Sequence, residues 1–135
     1  MAKKSATSPL SNGEARARLG EARAYLEAAE LYASSDSAAE RKVSGSNSIL
    51  AGIAAADAIC GLLLGERSSG EDHGQAVDLL TRALSPAKKA PNSLRRLLSE
   101  KTPVQYGVHP VSAADAAQLA KWARDLVNEA IQRAR

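Results

Sequence analysis

Phenylalanine is absent from this chain, and tryptophan, cysteine and methionine occur once each. Only two histidines are present. The lone Cys60 excludes an intrachain disulfide framework; set in an apolar run, it reads as a small buried hydrophobe. A reducing, cytoplasmic setting follows as an expectation. His73, His109 and one thiol fall short of the four ligands that a structural zinc site takes. Neither histidine sits in a Glu-x-x-His or His-x-x-x-His pattern, so no metal or cofactor is expected. The chain lacks both Gly-x-x-x-x-Gly-Lys-Ser/Thr and Gly-x-Gly-x-x-Gly, which removes the glycine-rich phosphate cradles. Met1 to Leu10 contains two lysines with no apolar stretch after them, and no secretory signal is visible there. The most apolar stretch, Ile49 to Leu64, is interrupted by Asp57 and falls short of the roughly 20 residues of a membrane span, which suits a core helix of a soluble protein.

The apolar share, 44% of 135 residues, is mostly alanine and leucine. Both favour helix, and alanine lets helices approach closely, whereas a sheet protein would show more β-branched and aromatic residues. The length suits one domain with one core. The net charge of +3 is mild but unevenly spread. Asp57, Glu66, Glu71, Asp72 and Asp78 outweigh Arg67 and Arg82, and the following segment carries Lys88, Lys89, Arg95, Arg96 and Lys101 against Glu100 alone.

Capping signals delimit the helices. Residues 1–10 read as a disordered tail and residues 11–135 as a single helical domain. Ser11 and Glu14 form a capping box, opening a helix to about Ala33 with a seam of Ala15, Leu19, Ala22, Leu26, Ala29 and Ala33. Ser37 with Glu40 opens a second, running to Leu64 and closed by Gly65, with a kink or break possible near Gly45. Residues 65–71 read as loop, and Asp72 with Gln75 caps a third helix. Ser85 to Pro91 reads as a connector, and Asn92 as the cap of a short helix turning Leu94, Leu97 and Leu98 inward. Thr102 to Pro110 reads as loop, and Ser112 with Asp115 opens the last helix, to near Arg133. The expected fold is all-α: an antiparallel bundle of four long helices with one short additional helix.

Asp57 is costly to bury unless paired. It reads either as a site acid facing a cleft or as one half of a structural salt bridge. The basic group Lys88, Lys89, Arg95, Arg96 and Lys101 suits phosphate contact or, more plainly, a solvated face. Tyr106 and His109 nearby add a stacking ring and an imidazole. Apolar residues on two faces of the first helix, with Ala28 and Leu31 outside the seam, allow a subunit interface or ordinary core.

The run Asn47-Ser-Ile-Leu-Ala-Gly-Ile-Ala-Ala-Ala-Asp-Ala-Ile-Cys60, then Gly65 to His73 and Gln75 to Leu80, resembles the HEPN domain family, as does Lys101-Thr-Pro-Val-Gln-Tyr-Gly107 leading into the last helix. The resemblance spans about residues 11 to 134. It implies a four- or five-helix bundle, commonly a homodimer, among RNA-cleaving toxins and defence proteins often partnered with a minimal nucleotidyltransferase. Active members carry an Arg, four to six residues, then a His. No such pair is expected in this chain: Arg96 lies thirteen positions before His109, Lys101 stands near the place of the Arg, and Tyr106 falls five positions on. The chain therefore reads first as a non-catalytic, nucleic-acid-associated or toxin–antitoxin binding protein. The alternatives are an atypical metal-independent ribonuclease using Lys101, Tyr106, His109 and Asp57, and a purely structural protein-interaction subunit.

Overall fold

A computed structural model describes residues 6–70 and 72–135. Among them the fold is all-helical apart from one small two-stranded ribbon. The elements in order are β1 (Thr7–Pro9), α1 (Asn12–Tyr32), α2 (Ala38–Leu64), β2 (Glu66–Ser68), α3 (His73–Leu84), α4 (Lys89–Ser99), α5 (Lys101–Tyr106) and α6 (Ala113–Arg133).

The long helices start where the caps place them. The Ser11 hydroxyl accepts from Glu14 N while the Glu14 carboxylate accepts from Ser11 N, satisfying two amides that the first turn leaves free. Ser37 and Ser112 cap α2 and α6 by the hydroxyl half of this exchange, accepting from Glu40 N and Asp115 N, while the Glu40 carboxylate accepts from the Ser35 hydroxyl. Gly65 ends α2 with φ 70°, a conformation that glycine adopts without strain.

The central element is α2, which packs against all five other helices and β2. Eighteen of its residues are apolar enough for a membrane span by composition, yet 67% of that window is buried inside the molecule. Helices α1 and α2 run antiparallel: Ala15 lies against Gly61, and the Ser44 hydroxyl donates to Ala29 O at 2.6 Å. A Cβ on Gly61 would stand 2.8 Å from the Ala15 Cβ, so a glycine there sets how closely the two backbones meet. In contrast α2 and α6 run parallel, with Gly45 facing Leu119 and Gly52 facing Leu126. The chain between them crosses back as α4 and α5, which place Leu97 on Gly52 and Val104 on Gly45.

Four expectations change. No break occurs at Gly45, because α2 is continuous and this glycine is the contact point for Val104 and Leu119. The tail is not wholly without structure: Thr7 to Pro9 pair antiparallel with Ser68 to Glu66, and Leu10 is buried, while Met1 to Ser5 lie outside the described residues. Helix α4 begins at Lys89 rather than after Asn92, and residues expected as loop form α5. Pro91 and Pro103 each occupy the third position of a helix, where the missing N–H has no intrahelical partner to lose. Three helices are long and three short, rather than four and one.

Candidate functional site

Asp57 projects from the buried middle of α2 and is 8% exposed. Its Oδ2 accepts from Arg18 Nε on α1 at 3.1 Å, and Arg18 Nη1 reaches Glu21 at 2.6 Å. Burial pushes the Asp57 carboxyl above its ordinary value; Arg18, and more weakly Arg67, offset this only in part. Arg18 shifts the other way from what burial alone would give: burial pulls it down, but Glu21 and Asp57 together carry it up. The pair is thus favourable for the arginine, which has two carboxylates, and incompletely so for the acid, which is the more deeply buried partner.

The sign of the Asp57 shift fixes a pH dependence. A carboxyl with a raised folded pKa binds its proton more readily in the native state, so its contribution to stability is full below the unfolded value and is lost as pH rises through the folded one. Asp57→Asn is expected to flatten that loss across the acid range while leaving Arg18 paired with Glu21. Urea unfolding at a series of pH values measures it, and a variant with the same slope as the parent would show that Asp57 is not the group responsible.

Beside this pair a cleft of about 210 Å³ opens between α2, β2, the start of α3, α4 and the first residue of α5. Ile53, Leu94 and Leu98 line its apolar side; Arg18, Arg67, His73 and Lys101 bring cationic and imidazole groups to it. The ribbon holds Arg67, whose partner across β1 is Ser8, and Leu10 N and Ser69 N bond across the same clasp to Gly65 O and Ala6 O. His73 is the first residue of α3, which Asp72 caps through Gln75 N. Arg67 and Lys101 enter no ion pair among the described residues. Ser68 Oγ, in a residue that also lines the cleft, is a buried hydroxyl with no hydrogen-bond partner among the described residues.

Of the four residues nominated for chemistry, Asp57 and Lys101 share this cleft. Tyr106 does not: it is 77% exposed at the end of α5. His109 lines a different groove, beside Trp122. Closeness to Lys101 in sequence misleads here, because α5 carries the chain away from the cleft. The cleft instead brings in Arg67 and His73. The expectation that the chain holds no Arg-x(4–6)-His pair is corrected by Arg67-Ser-Ser-Gly-Glu-Asp-His73, in which five residues separate the two. Glu71, between them, lies outside the described residues.

Lys88, just before α4, and Lys89, Arg95 and Arg96 within it are all exposed, and Arg95 donates to Asn92 Oδ1 at 2.7 Å. Lys89 stands 3.8 Å from Asp125, and the Arg96 guanidinium lies 5.7 Å from the Trp122 ring centroid. Arg95 and His73 together line a second groove of about 340 Å³ that adjoins the cleft at His73.

Burial pushes the Cys60 thiol up to about 12, which leaves it without the thiolate that a nucleophile requires. Among the described residues no three or more His, Cys, Asp or Glu side chains group to hold a metal ion. No family model, curated protein or solved structure matches the chain.

Proposed function

We propose that this chain is a HEPN-like helical bundle that cleaves RNA without a metal ion, at the cleft containing Arg67 and His73. The observation that carries this reading is the convergence of an Arg-x(5)-His pair on one cleft with Asp57 and Lys101. The step it supports is attack of a ribose 2′-hydroxyl on the adjacent phosphorus. His73 accepts the hydroxyl proton, since imidazole is the side chain best matched to a base near neutral pH. Arg67 holds the non-bridging phosphate oxygens, for which a guanidinium fork is suited, and Lys101 adds positive charge beside it. The new P–O2′ bond replaces the P–O5′ bond, the departing 5′-oxygen takes up a proton from water, the His73 imidazolium returns its proton to solvent, and the products are a 2′,3′-cyclic phosphate and a 5′-hydroxyl. Asp57 acts through Arg18, whose position it fixes, and touches no substrate.

Arg95, beyond His73 in the adjoining groove, and exposed Lys88, just before α4, supply phosphate contacts for the flanking strand. This retains the nucleic-acid-binding part of the first reading, the non-catalytic one, on an observation of its own, the exposed basic side chains at and before α4. Leu31 on α1 is 70% exposed and supports the homodimer that the resemblance implies, with a nucleotidyltransferase-like protein as a further partner.

Incubating the protein with single-stranded RNA in excess EDTA tests the reading. Cleavage to cyclic-phosphate ends is expected, with the 2′-deoxy oligonucleotide left intact. Cleavage of the deoxy strand, or dependence on added metal, would rule the mechanism out.

A further inference from the structure

The groove that holds His109 lies apart from the RNA cleft, and the proposed reaction makes no use of it. Its volume is about 360 Å³, within the range of roughly 300–1,000 Å³ at which pockets take small organic ligands. Buried Val104, Val111 and Leu119 and the half-buried Trp122 ring make it apolar inside, and Glu100 and Asp115 are its two carboxylates.

Two features point to the ligand. Although the chain has more basic than acidic residues, neither Glu100 nor Asp115 enters an ion pair among the described residues. Ser112 accepts from the backbone N–H of Asp115, and Asp115 lines the groove with its carboxylate in no ion pair among the described residues. In addition, the Trp122 ring lines the groove, with Arg96 at 5.7 Å on one side of it, and an indole face attracts a cation. The wall is built rather than loose: Arg41 Nε donates to Val111 O at 2.9 Å and Lys42 donates to Gly107 O, tying the segment before α6 to the start of α2.

We propose that this groove binds a small organic cation with an apolar body, an ammonium group attached to a ring or a short alkyl chain. The apolar body lies against Val104, Leu119 and the indole, and the ammonium meets Glu100 and Asp115. An anion of the same shape is repelled by the same two groups. The inference stands independently of the RNA reading, because it uses none of the residues of that cleft.

Trp122 is the only tryptophan in the chain, so fluorescence excited selectively at tryptophan, and not at the three tyrosines, reports on this groove. Titration of the full chain with phenyltrimethylammonium is expected to give a saturable change in that fluorescence. Both carboxylates are on exposed residues, so the Glu100→Gln/Asp115→Asn double variant keeps its fold, as circular dichroism checks, and binds about tenfold more weakly. Phenylacetate, with a ring but the opposite charge, gives no saturable change, and His73→Ala leaves the response intact. Absence of a saturable change with the native chain, unchanged affinity in the folded double variant, or equal binding of phenylacetate would each overturn the proposal.

Discussion

His73→Ala is expected to lower the rate of RNA cleavage by about 10²–10⁴-fold, the usual contribution of a positioned general base. The fold should not change, because His73 is half-buried at the first position of α3 and the cap of that helix is the Asp72 side chain, not the imidazole. His109→Ala, in the groove beside Trp122, should cleave at the parent rate. A single-turnover assay of the two variants side by side measures both. Loss only at His109 would move the chemistry to the loop between α5 and α6 and leave Arg67 and His73 as surface residues, and equal loss in the two would contradict a reaction confined to the cleft. Arg67→Ala should fall with His73→Ala, since the two are proposed to act on one phosphate; effects of groups that work as a unit are not additive.

Leu97→Ala is expected to destabilise the protein by about 2–5 kcal/mol. Leu97 is fully buried, and its Cδ1 lies where a Cβ on Gly52 would be, only 2.5 Å away. The truncation therefore opens a void at the junction of α2, α4 and α6, where the backbone of α2 offers no side chain to fill it. Against a total stability of about 5–15 kcal/mol this is a large fraction. Arg95→Ala, on the outward side of the same helix, should change stability by no more than about 0.5 kcal/mol. Urea denaturation separates them as a shift in midpoint at unchanged slope. A loss below about 1 kcal/mol for Leu97→Ala would mean that α4 does not dock as described, and with it the wall of the cleft.

What was legible in the sequence is local. The Ser11–Glu14, Ser37–Glu40, Asp72–Gln75 and Ser112–Asp115 caps each join residues three apart, and each is found where the spacing puts it. Leu94, Leu97 and Leu98 are buried as their helical spacing requires. What was not legible depends on distant partners. Three-residue strands carry little pattern, and Arg67 pairs with Ser8 from the other side of α1 and α2. Gly45 looks like a helix breaker until Val104 and Leu119 are seen resting on it. Pro91 and Pro103 look like stops, but they fall in first turns, where proline is tolerated.

The candidate site was half legible for the same reason. Asp57 stands out as one acid in an apolar run, and Lys101 as a charge in a basic segment. His109 and Tyr106 were attached to Lys101 by nearness along the chain, which α5 undoes in space. Arg67 and His73 are readable by spacing alone, yet Ser68 ends a strand and Asp72 caps a helix between them, so that periodicity marks the segment only as loop.

The most direct test of the central claim is to map where nucleic acid binds. A 2′-deoxy oligonucleotide that resists cleavage is titrated into isotope-labelled protein, and backbone amide shifts are followed. Changes centred on Arg67, Ser68, His73 and Lys101, extending to Arg95, are the expected result. Changes centred on His109 and Trp122, with Arg67 and His73 unmoved at saturation, would contradict it.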